Sequence, residues 1–270
     1  MARVKKKLKQ APPAEAVRRS DGSVMIVLTL SVMIVVLLSI AAHIRNSIYR
    51  THVTLWADIV KRSPEKRRAH ENYGQALSTA GSLSQNPQEA LKYYEEALRQ
   101  FQTVIALKDD GSVPPRDLYR EIGVVHFRMG KFDDAITAWQ TGLQFAPNDP
   151  SLSNNLSIAY MQRGRYDDAA ALAMTALTID PRMPQALNTM GQVYMAKNNY
   201  DKAVEFFQKA LESEPDVPAR YWNMALALAQ ARKFDRALQF ANRYLAMETD
   251  PRSRQRASEF IAYLNNAMKQ

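Results

Sequence analysis

The most regular feature of the chain is a pattern of large, small and charged positions that recurs every 34 residues. Each copy has an aromatic residue, an aspartate, any residue and an alanine, and the four copies begin at Phe132, Tyr166, Tyr200 and Phe234. A large residue followed by a small one precedes each copy at a constant distance, and a proline follows the first three. A pattern repeated at a fixed period indicates one structural unit that is stacked several times.

The apolar spacing within one unit predicts two helices. Ile122 and His126 recur at helical spacing on the first helix, and Ala135 and Gly142 do so on the second. Small residues such as Gly123 would let the two backbones approach to about 8–10 Å. Because one such hairpin cannot bury its apolar face alone, several hairpins should stack into a solenoid.

The helix ends also follow from the pattern. Asp133, Asp167, Asp201 and Asp235 stand where each second helix should begin, so we expect each to accept a hydrogen bond from a backbone N–H as the N-cap residue. Their charge would also favour the positive end of the helix dipole. The prolines that follow should end each unit, because proline cannot continue a helix.

These residues resemble the tetratricopeptide repeat family, whose unit carries large, Leu-Gly, Tyr, Ala, Phe and Pro positions at set offsets. The matching first-helix pairs here include Ile122-Gly123 and Met190-Gly191. The resemblance is strong over residues 116–249 and weaker before them. It implies an all-α solenoid of about four to five helical hairpins, closed by a capping helix over residues 250–270.

The repeats become irregular toward the N-terminus. Residues 45–66 are predicted to form a connecting helix or half repeat, and residues 67–115 an irregular repeat with insertions at 82–86 and 108–115. Within the second of these segments, Asn86 to Glu89 predicts a helix cap, a first-turn proline and a capping-box glutamate. Such insertions in repeat arrays lie at one edge, where partners often bind.

The N-terminal region has a different character. Residues 1–22 are basic and lack apolar periodicity, which predicts a disordered tail. Residues 24–44 contain no charged side chain, and 21 helical residues would span a hydrocarbon layer of about 30 Å. We therefore predict one transmembrane helix over residues 23–44. A cleaved signal peptide is the competing interpretation, although its apolar core is usually only about 7–15 residues long.

The basic residues that flank this segment predict its orientation. Six lysines and arginines precede it within about 20 residues and four follow it, so the N-terminus should stay in the cytoplasm. The protein would then be single-pass, with the repeats outside the cytoplasm, in the periplasm if the cell is bacterial. The opposite orientation, with the repeats in the cytosol, remains the alternative.

Composition and motifs add mainly exclusions. The net charge of +9 is concentrated in the first 22 residues, so it argues little for nucleic-acid binding. The chain has no cysteine, and its four histidines lack metal-ligand spacing. No nucleotide-binding or catalytic motif is present. We therefore expect no enzyme activity, cofactor or metal, and we interpret His126, in the slot of Tyr160 and Tyr194, as a packing residue.

The family resemblance also implies a binding groove lined by fixed positions of the first helices. The candidate residues are Arg120, Val124, Phe127, Asn154, Ile158, Met161, Asn188, Gln192, Met195, Trp222 and Leu226. An apolar strip with methionine and amide side chains suits an extended or helical peptide. We expect Phe127, Met161 and Trp222 to project from the stack as anchors; the alternative is that neighbouring second helices or the capping helix cover part of this strip. The Lys and Asn pairs with which chaperone-binding members hold a C-terminal carboxylate are missing.

Together these features predict a non-enzymatic, membrane-anchored scaffold or assembly factor for an envelope protein complex. Its partners would be proteins or peptides and, through residues 24–44, the lipid bilayer, with no nucleic acid and no small-molecule substrate. The sequence does not decide whether the protein forms a homo-oligomer. The alternatives are an organelle-surface receptor for client peptides, with its repeats in the cytosol, and an accessory subunit of an enzyme. The step from fold to function rests on analogy with anchored members of the family.

Overall fold

The computed structural model describes residues 25–40, 51–107 and 116–269, which contain thirteen helices and no strand. The helices are α1 (25–40), α2 (His52–Arg62), α3 (Arg67–Leu83), α4 (Pro87–Ala106), α5 (Arg116–Arg128), α6 (Phe132–Phe145), α7 (Pro150–Gln162), α8 (Tyr166–Ile179), α9 (Pro184–Ala196), α10 (Tyr200–Ser213), α11 (Pro218–Gln230), α12 (Phe234–Met247) and α13 (Pro251–Ala267). The chain divides between Ser63 and Pro64 into two compact units.

The second unit is a stack of helical hairpins. The pairs α3–α4, α5–α6, α7–α8, α9–α10 and α11–α12 each pack closely, and the second helix of one hairpin contacts the first helix of the next. The last helix, α13, packs against α12. The predicted all-α solenoid is confirmed.

Three of the described hairpins, α3–α4, α5–α6 and α9–α10, are closed by a contact between a glycine and an aromatic ring. A side chain added at Gly123 would overlap the ring of Trp139, and one added at Gly191 would lie 2.5 Å from a ring carbon of Phe207. The glycines therefore accept an aromatic ring from the second helix, where the sequence predicted a close approach of two backbones. The aromatic ring fills the space beside the glycine, which gives the close packing that is usual in protein cores.

The hairpins α7–α8 and α11–α12 have small residues at both of these positions. One period after Gly123 and Trp139 stand Ser157 and Ala173, and the last hairpin has Ala225 and Ala241. The hydroxyl of Ser157 donates a hydrogen bond of 2.6 Å to the carbonyl oxygen of Ala169, so its polar atom is satisfied inside the core. These two hairpins therefore close through small side chains, without an aromatic ring at the contact.

The predicted helix caps are wrong for the repeated aspartates. The aromatic residue before each aspartate is already helical, so the aspartate is the second residue of its helix and faces solvent. The N-cap residues are Lys131, Arg165, Asn199 and Lys233, and only the Asn199 side chain accepts a backbone N–H.

Three of the aspartates instead pair with a cation of the next hairpin. These pairs are Asp133 with Arg163 (3.1 Å), Asp167 with Lys197 (2.5 Å) and Asp201 with Lys233 (2.7 Å). The hydrogen bond and the charge of Asp167 raise the pKa of the Lys197 ammonium. All six side chains are exposed, so solvent screens the charges and each pair adds little to the stability of the fold. The pairs recur between equivalent positions of successive hairpins.

The irregular hairpin follows the predicted start of its second helix. Asn86 accepts hydrogen bonds from the backbone N–H groups of Gln88 (3.0 Å) and Glu89 (3.4 Å), and Pro87 is the first helical residue, as predicted. Glu89 does not complete a capping box, because its carboxylate accepts the hydroxyl of Ser84 at 2.9 Å. At 20 residues, α4 is longer than the 14-residue second helices that follow.

The first unit contains α1 and α2. All the large apolar side chains of α1 are between 48% and 64% exposed. The predicted tail (1–22) and the 108–115 insertion lie outside the described residues, as do both ends of the predicted transmembrane helix (23–44). In the part of the chain that the structure describes, no helix has the length and apolar character needed to cross a membrane.

Candidate functional site

Four first helices, α5, α7, α9 and α11, carry the eleven residues predicted to line a groove. We call the surface that these residues form the first-helix face. Ten of them are half-buried, and Asn154 is buried with 3% of its surface exposed. The face therefore offers partly accessible side chains on a rigid helical frame.

An apolar recess of about 270 Å³ opens on this face where α5 meets α7. It is lined by Val124, Phe127, Arg128, Trp139, Asn155 and Ile158. The indole N–H of Trp139 already donates to the carbonyl oxygen of Arg120 at 3.0 Å, so this side chain adds only apolar surface. Sites for small organic ligands usually measure about 300–1,000 Å³, so the recess is sized for one or two protein side chains.

Two polar lining residues were missed by the sequence analysis. Asn155 follows Asn154, and Arg128 follows Phe127, so both fall one residue outside the positions that the family resemblance indicated. Arg128 is exposed, which places a cation at the edge of an otherwise apolar recess. In the sequence, the charge of Arg128 directly after Phe127 was the feature that could have indicated a polar edge to the recess.

The prediction that the large side chains project from the stack is wrong for Phe127 and Met161. The ring centroid of Phe127 lies 5.2 Å from that of Phe132 and 5.9 Å from that of Trp139. Phe127 and Met161 both pack against the core cluster that includes Trp139 and Leu156. The cause is local, because Phe127 stands near the tight end of its hairpin, beside the first residue of α6.

Trp222 is also covered, in its case by the end of the array. Its ring centroid lies 5.0 Å from that of Tyr244 on α12 and 5.3 Å from that of Phe260 on α13. The C-terminal helix thus packs over the part of the first-helix face that α11 provides. Among the apolar candidates, Ile158 and Leu226 remain half-buried outside the core clusters of the described residues.

The polar candidates differ in how they are satisfied. The side-chain oxygen of Asn188 accepts a hydrogen bond of 2.7 Å from the amide of Asn223 on α11. One period earlier the donor position is Thr189, whose hydroxyl donates to the carbonyl oxygen of Gln185. The buried oxygen of Asn154 consequently has no partner within the described residues. An unsatisfied buried acceptor costs about 1–3 kcal/mol.

The remaining candidates either interact with other residues of the fold or are uncharged side chains that are half-buried. Arg120 pairs with Asp117 at 2.7 Å and with Glu121 at 3.4 Å, so its charge is compensated. Met195 packs against the C-terminal core cluster, and Gln192 is half-buried on α9. Over the described ranges, no three His, Asp or Glu side chains come together as a metal site. The recess is therefore the distinctive feature of this face.

Comparison with known proteins places these features in a family. One family model, described as tetratricopeptide repeat, matches residues 160–225 and 194–257, and a second model with the same description matches residues 120–184. No curated protein sequence matches the chain.

Several solved structures share the fold. The APC/C hetero-tetramer Cut9–Hcn1 aligns with a TM-score of 0.63 and 15% identity, over 77% of this chain and 38% of that one. PilF of Pseudomonas aeruginosa aligns with a TM-score of 0.60 and 18% identity, over 75% of this chain and 86% of that one. A tetratricopeptide repeat protein of Parabacteroides merdae aligns with a TM-score of 0.55 and 18% identity, over 73% of each chain. At these identities the likeness concerns the fold alone.

The matched segments together cover residues 120–257, more than half of the chain, and they coincide with the hairpins from α5 to α12. Tetratricopeptide repeat proteins act as scaffolds that bind protein or peptide partners. The 34-residue period, the paired helices and the family matches agree, and the chain belongs to the tetratricopeptide repeat family.

Proposed function

We propose that this protein is a non-enzymatic scaffold that binds a protein or peptide segment through its first-helix face. The recess between α5 and α7 carries this proposal. It is apolar, it is large enough for one or two side chains, and Ile158 on its wall remains outside the core clusters. Anchors that fill such a pocket usually dominate the affinity of an interface.

The polar groups beside the recess suggest how a partner would be oriented. The amide of Asn155 at the recess can donate and accept hydrogen bonds. Arg128 would favour a negative charge next to the apolar anchor. A segment that carries a bulky apolar residue beside an acidic one therefore fits these groups.

We further propose that residues 24–44 anchor the scaffold in a membrane and that it serves an envelope protein complex. The support is the uninterrupted stretch of 21 residues without a charge, together with the exposed apolar side chains of α1. The charge difference between the two flanks favours a cytoplasmic N-terminus and repeats on the opposite side. The scaffold would then present its recess to partners outside the cytoplasm.

Ile158→Glu should abolish recovery of the partner when the full-length protein is purified from its own cells with bound proteins. The substitution places a charge at the apolar wall of the recess, and glutamate keeps a helix propensity similar to that of other good helix formers. The control is Met174→Glu, which alters a methionine of α8 that is 46% exposed. Both variants should melt within a few degrees of the parent protein.

Equal recovery of partners by the Ile158→Glu and Met174→Glu variants would contradict binding at the recess. If both variants lose the partner while remaining folded, the partner also contacts second helices such as α8. The first-helix face is then not its principal binding site.

The orientation can be tested by single cysteines, because the chain has none of its own. In intact cells, Ser82→Cys should react with a membrane-impermeant thiol reagent, and Ser20→Cys should react only after the cells are opened. Ser82 is exposed at the end of α3. The reverse pattern would place the repeats in the cytosol and favour the receptor function. Equal labelling of both positions, or extraction of the protein without detergent, would contradict the membrane anchor.

A further inference from the structure

A second cleft, of about 410 Å³, lies between α4 and the hairpin α5–α6. Its volume is within the range of about 300–1,000 Å³ that is usual for sites of small organic ligands. Leu98 and Ile105 of α4 and Ile122 of α5 provide its apolar walls. Ile105 is 41% exposed, so a bound ligand would cover apolar surface that water now contacts. The cleft is separate from the recess of the first-helix face, with which it shares no lining residue.

A change of residue type helps to open this cleft. His126 on its wall occupies the position that Tyr160 and Tyr194 hold in the next two hairpins. The hydroxyl of Tyr160 accepts a hydrogen bond of 3.0 Å from Gln140, whereas the smaller imidazole of His126 reaches no such partner. The interpretation of His126 as a packing residue, made from its slot alone, overlooked this difference in size and bonding.

The α6 wall of the cleft presents mainly hydrogen-bond acceptors, whereas Gln102 of α4 and Tyr119 of α5 carry groups that can also donate. The hydroxyl of Thr137 donates to the carbonyl oxygen of Asp133 at 3.0 Å, and that of Thr141 donates to the carbonyl oxygen of Thr137 at 2.8 Å. Both hydroxyl hydrogens are thus used, and lone pairs remain. A carboxylate oxygen of Asp134 lies 3.7 Å from Nδ1 of His126, which is too far for a direct hydrogen bond.

The charge of the cleft follows from the same groups. Burial lowers the pKa of the His126 imidazole, and this effect outweighs the carboxylate of Asp134, which alone would raise it. The nearby ammonium of Lys131 lowers the pKa further. The imidazole is therefore neutral near pH 7, and with its proton on Nε2 its Nδ1 has a lone pair that no described residue uses. The carboxylate of Asp134 adds a negative charge beside it.

We propose that this cleft binds a primary ammonium group carried on an apolar body. An ammonium group has three donors, enough to reach Nδ1 of His126 and the carboxylate of Asp134 together with a hydroxyl oxygen of the threonine pair. The apolar body would lie against Leu98, Ile105 and Ile122. Two sources have this chemistry, a free organic amine and the side chain of a lysine residue.

The test is a titration of the full-length protein with 2-phenylethylammonium, followed by the NMR signals of the His126 ring. Those signals should shift and saturate. Asp134→Asn should weaken binding by about ten-fold, because the hydrogen bond to a charged acceptor is lost. The matched control is Asp168→Asn, which changes the third residue of α8, as Asp134 is the third residue of α6, and should leave binding unchanged. The neutral probe 2-phenylethanol should bind about ten-fold more weakly than the ammonium.

A second variant tests the cleft itself. His126→Tyr installs the residue of the next two hairpins, so it should fill the space, retain the fold and abolish the saturation-transfer signal of bound 2-phenylethylammonium. Replacing the probe with Nα-acetyl-lysine methylamide distinguishes the two sources, since tighter binding of this compound would assign the cleft to a lysine of another polypeptide. No saturable shift of His126 with either probe, or equal affinity in the parent and the Asp134→Asn protein, would overturn the proposal.

Discussion

Trp139→Ala should lower the free energy of unfolding by about 3–5 kcal/mol, the cost usually found when a buried tryptophan or phenylalanine is truncated to alanine. Trp139 is only 2% exposed, and its ring fills the notch that Gly123 leaves on α5. The substitution leaves a cavity at this contact. It also removes the hydrogen bond from the indole N–H to the carbonyl oxygen of Arg120, which closes the hairpin α5–α6.

Chemical denaturation of the parent and the variant would measure the loss. The control is Phe145→Ala, which truncates another aromatic side chain of the same helix that is 46% exposed and stacks on Tyr119 with ring centroids 5.5 Å apart. That exposed contact should cost much less, because an aromatic pair adds only about 0.5–1.5 kcal/mol beyond its buried area. Equal losses in the two variants would show that Trp139 does not close the hairpin.

Gly191→Ala should destabilise the protein by about 1–3 kcal/mol through overpacking, although it replaces a glycine within a helix. In an exposed helix the same change normally stabilises by about 1 kcal/mol, because alanine is the better helix former. Here the new Cβ would lie 2.5 Å from a ring carbon of Phe207, whose side chain is 2% exposed and has little room to move. The sign of the effect therefore separates the packing contact from helix propensity.

The matched experiment repeats Gly191→Ala in a Phe207→Ala background. The double variant reproduces the pair Ala225 and Ala241 that the last hairpin uses at the equivalent positions. With the ring absent, Gly191→Ala should become neutral or stabilising, so the two substitutions should be strongly non-additive in chemical denaturation. Additive losses would show that Gly191 and Phe207 do not share the contact described.

The period of 34 residues made the hairpins predictable, because each copy presents the same helical spacing to the same neighbours. The details that failed depend on single neighbours that the period does not encode. Asp133 was expected to be the N-cap residue of α6, but the N-cap is Lys131, two residues earlier, and the carboxylate of Asp133 pairs with Arg163 of the next hairpin. Equivalent positions in the repeats have the same backbone conformation, but the side chains that they contact differ.

The same limit applies to the candidate site. The recess brings together Val124, Phe127 and Ile158 of the eleven family positions, and the exposure of each position depends on what packs over it. Trp222 is covered by α13, while Ile158 stays open at the recess. The unpaired oxygen of Asn154 could not be predicted, because Asn188 one period later is satisfied by Asn223. A site assembled from three helices therefore requires the structure.

Site-specific photocrosslinking in intact cells tests the central claim most directly. A photoreactive residue at position 158 would stand at the wall of the recess, and one at position 174 would stand on the exposed side of α8. We expect one discrete protein adduct from position 158, and position 174 should give none of comparable yield. An adduct from position 174 with none from position 158 would contradict the assignment of the first-helix face as the binding surface.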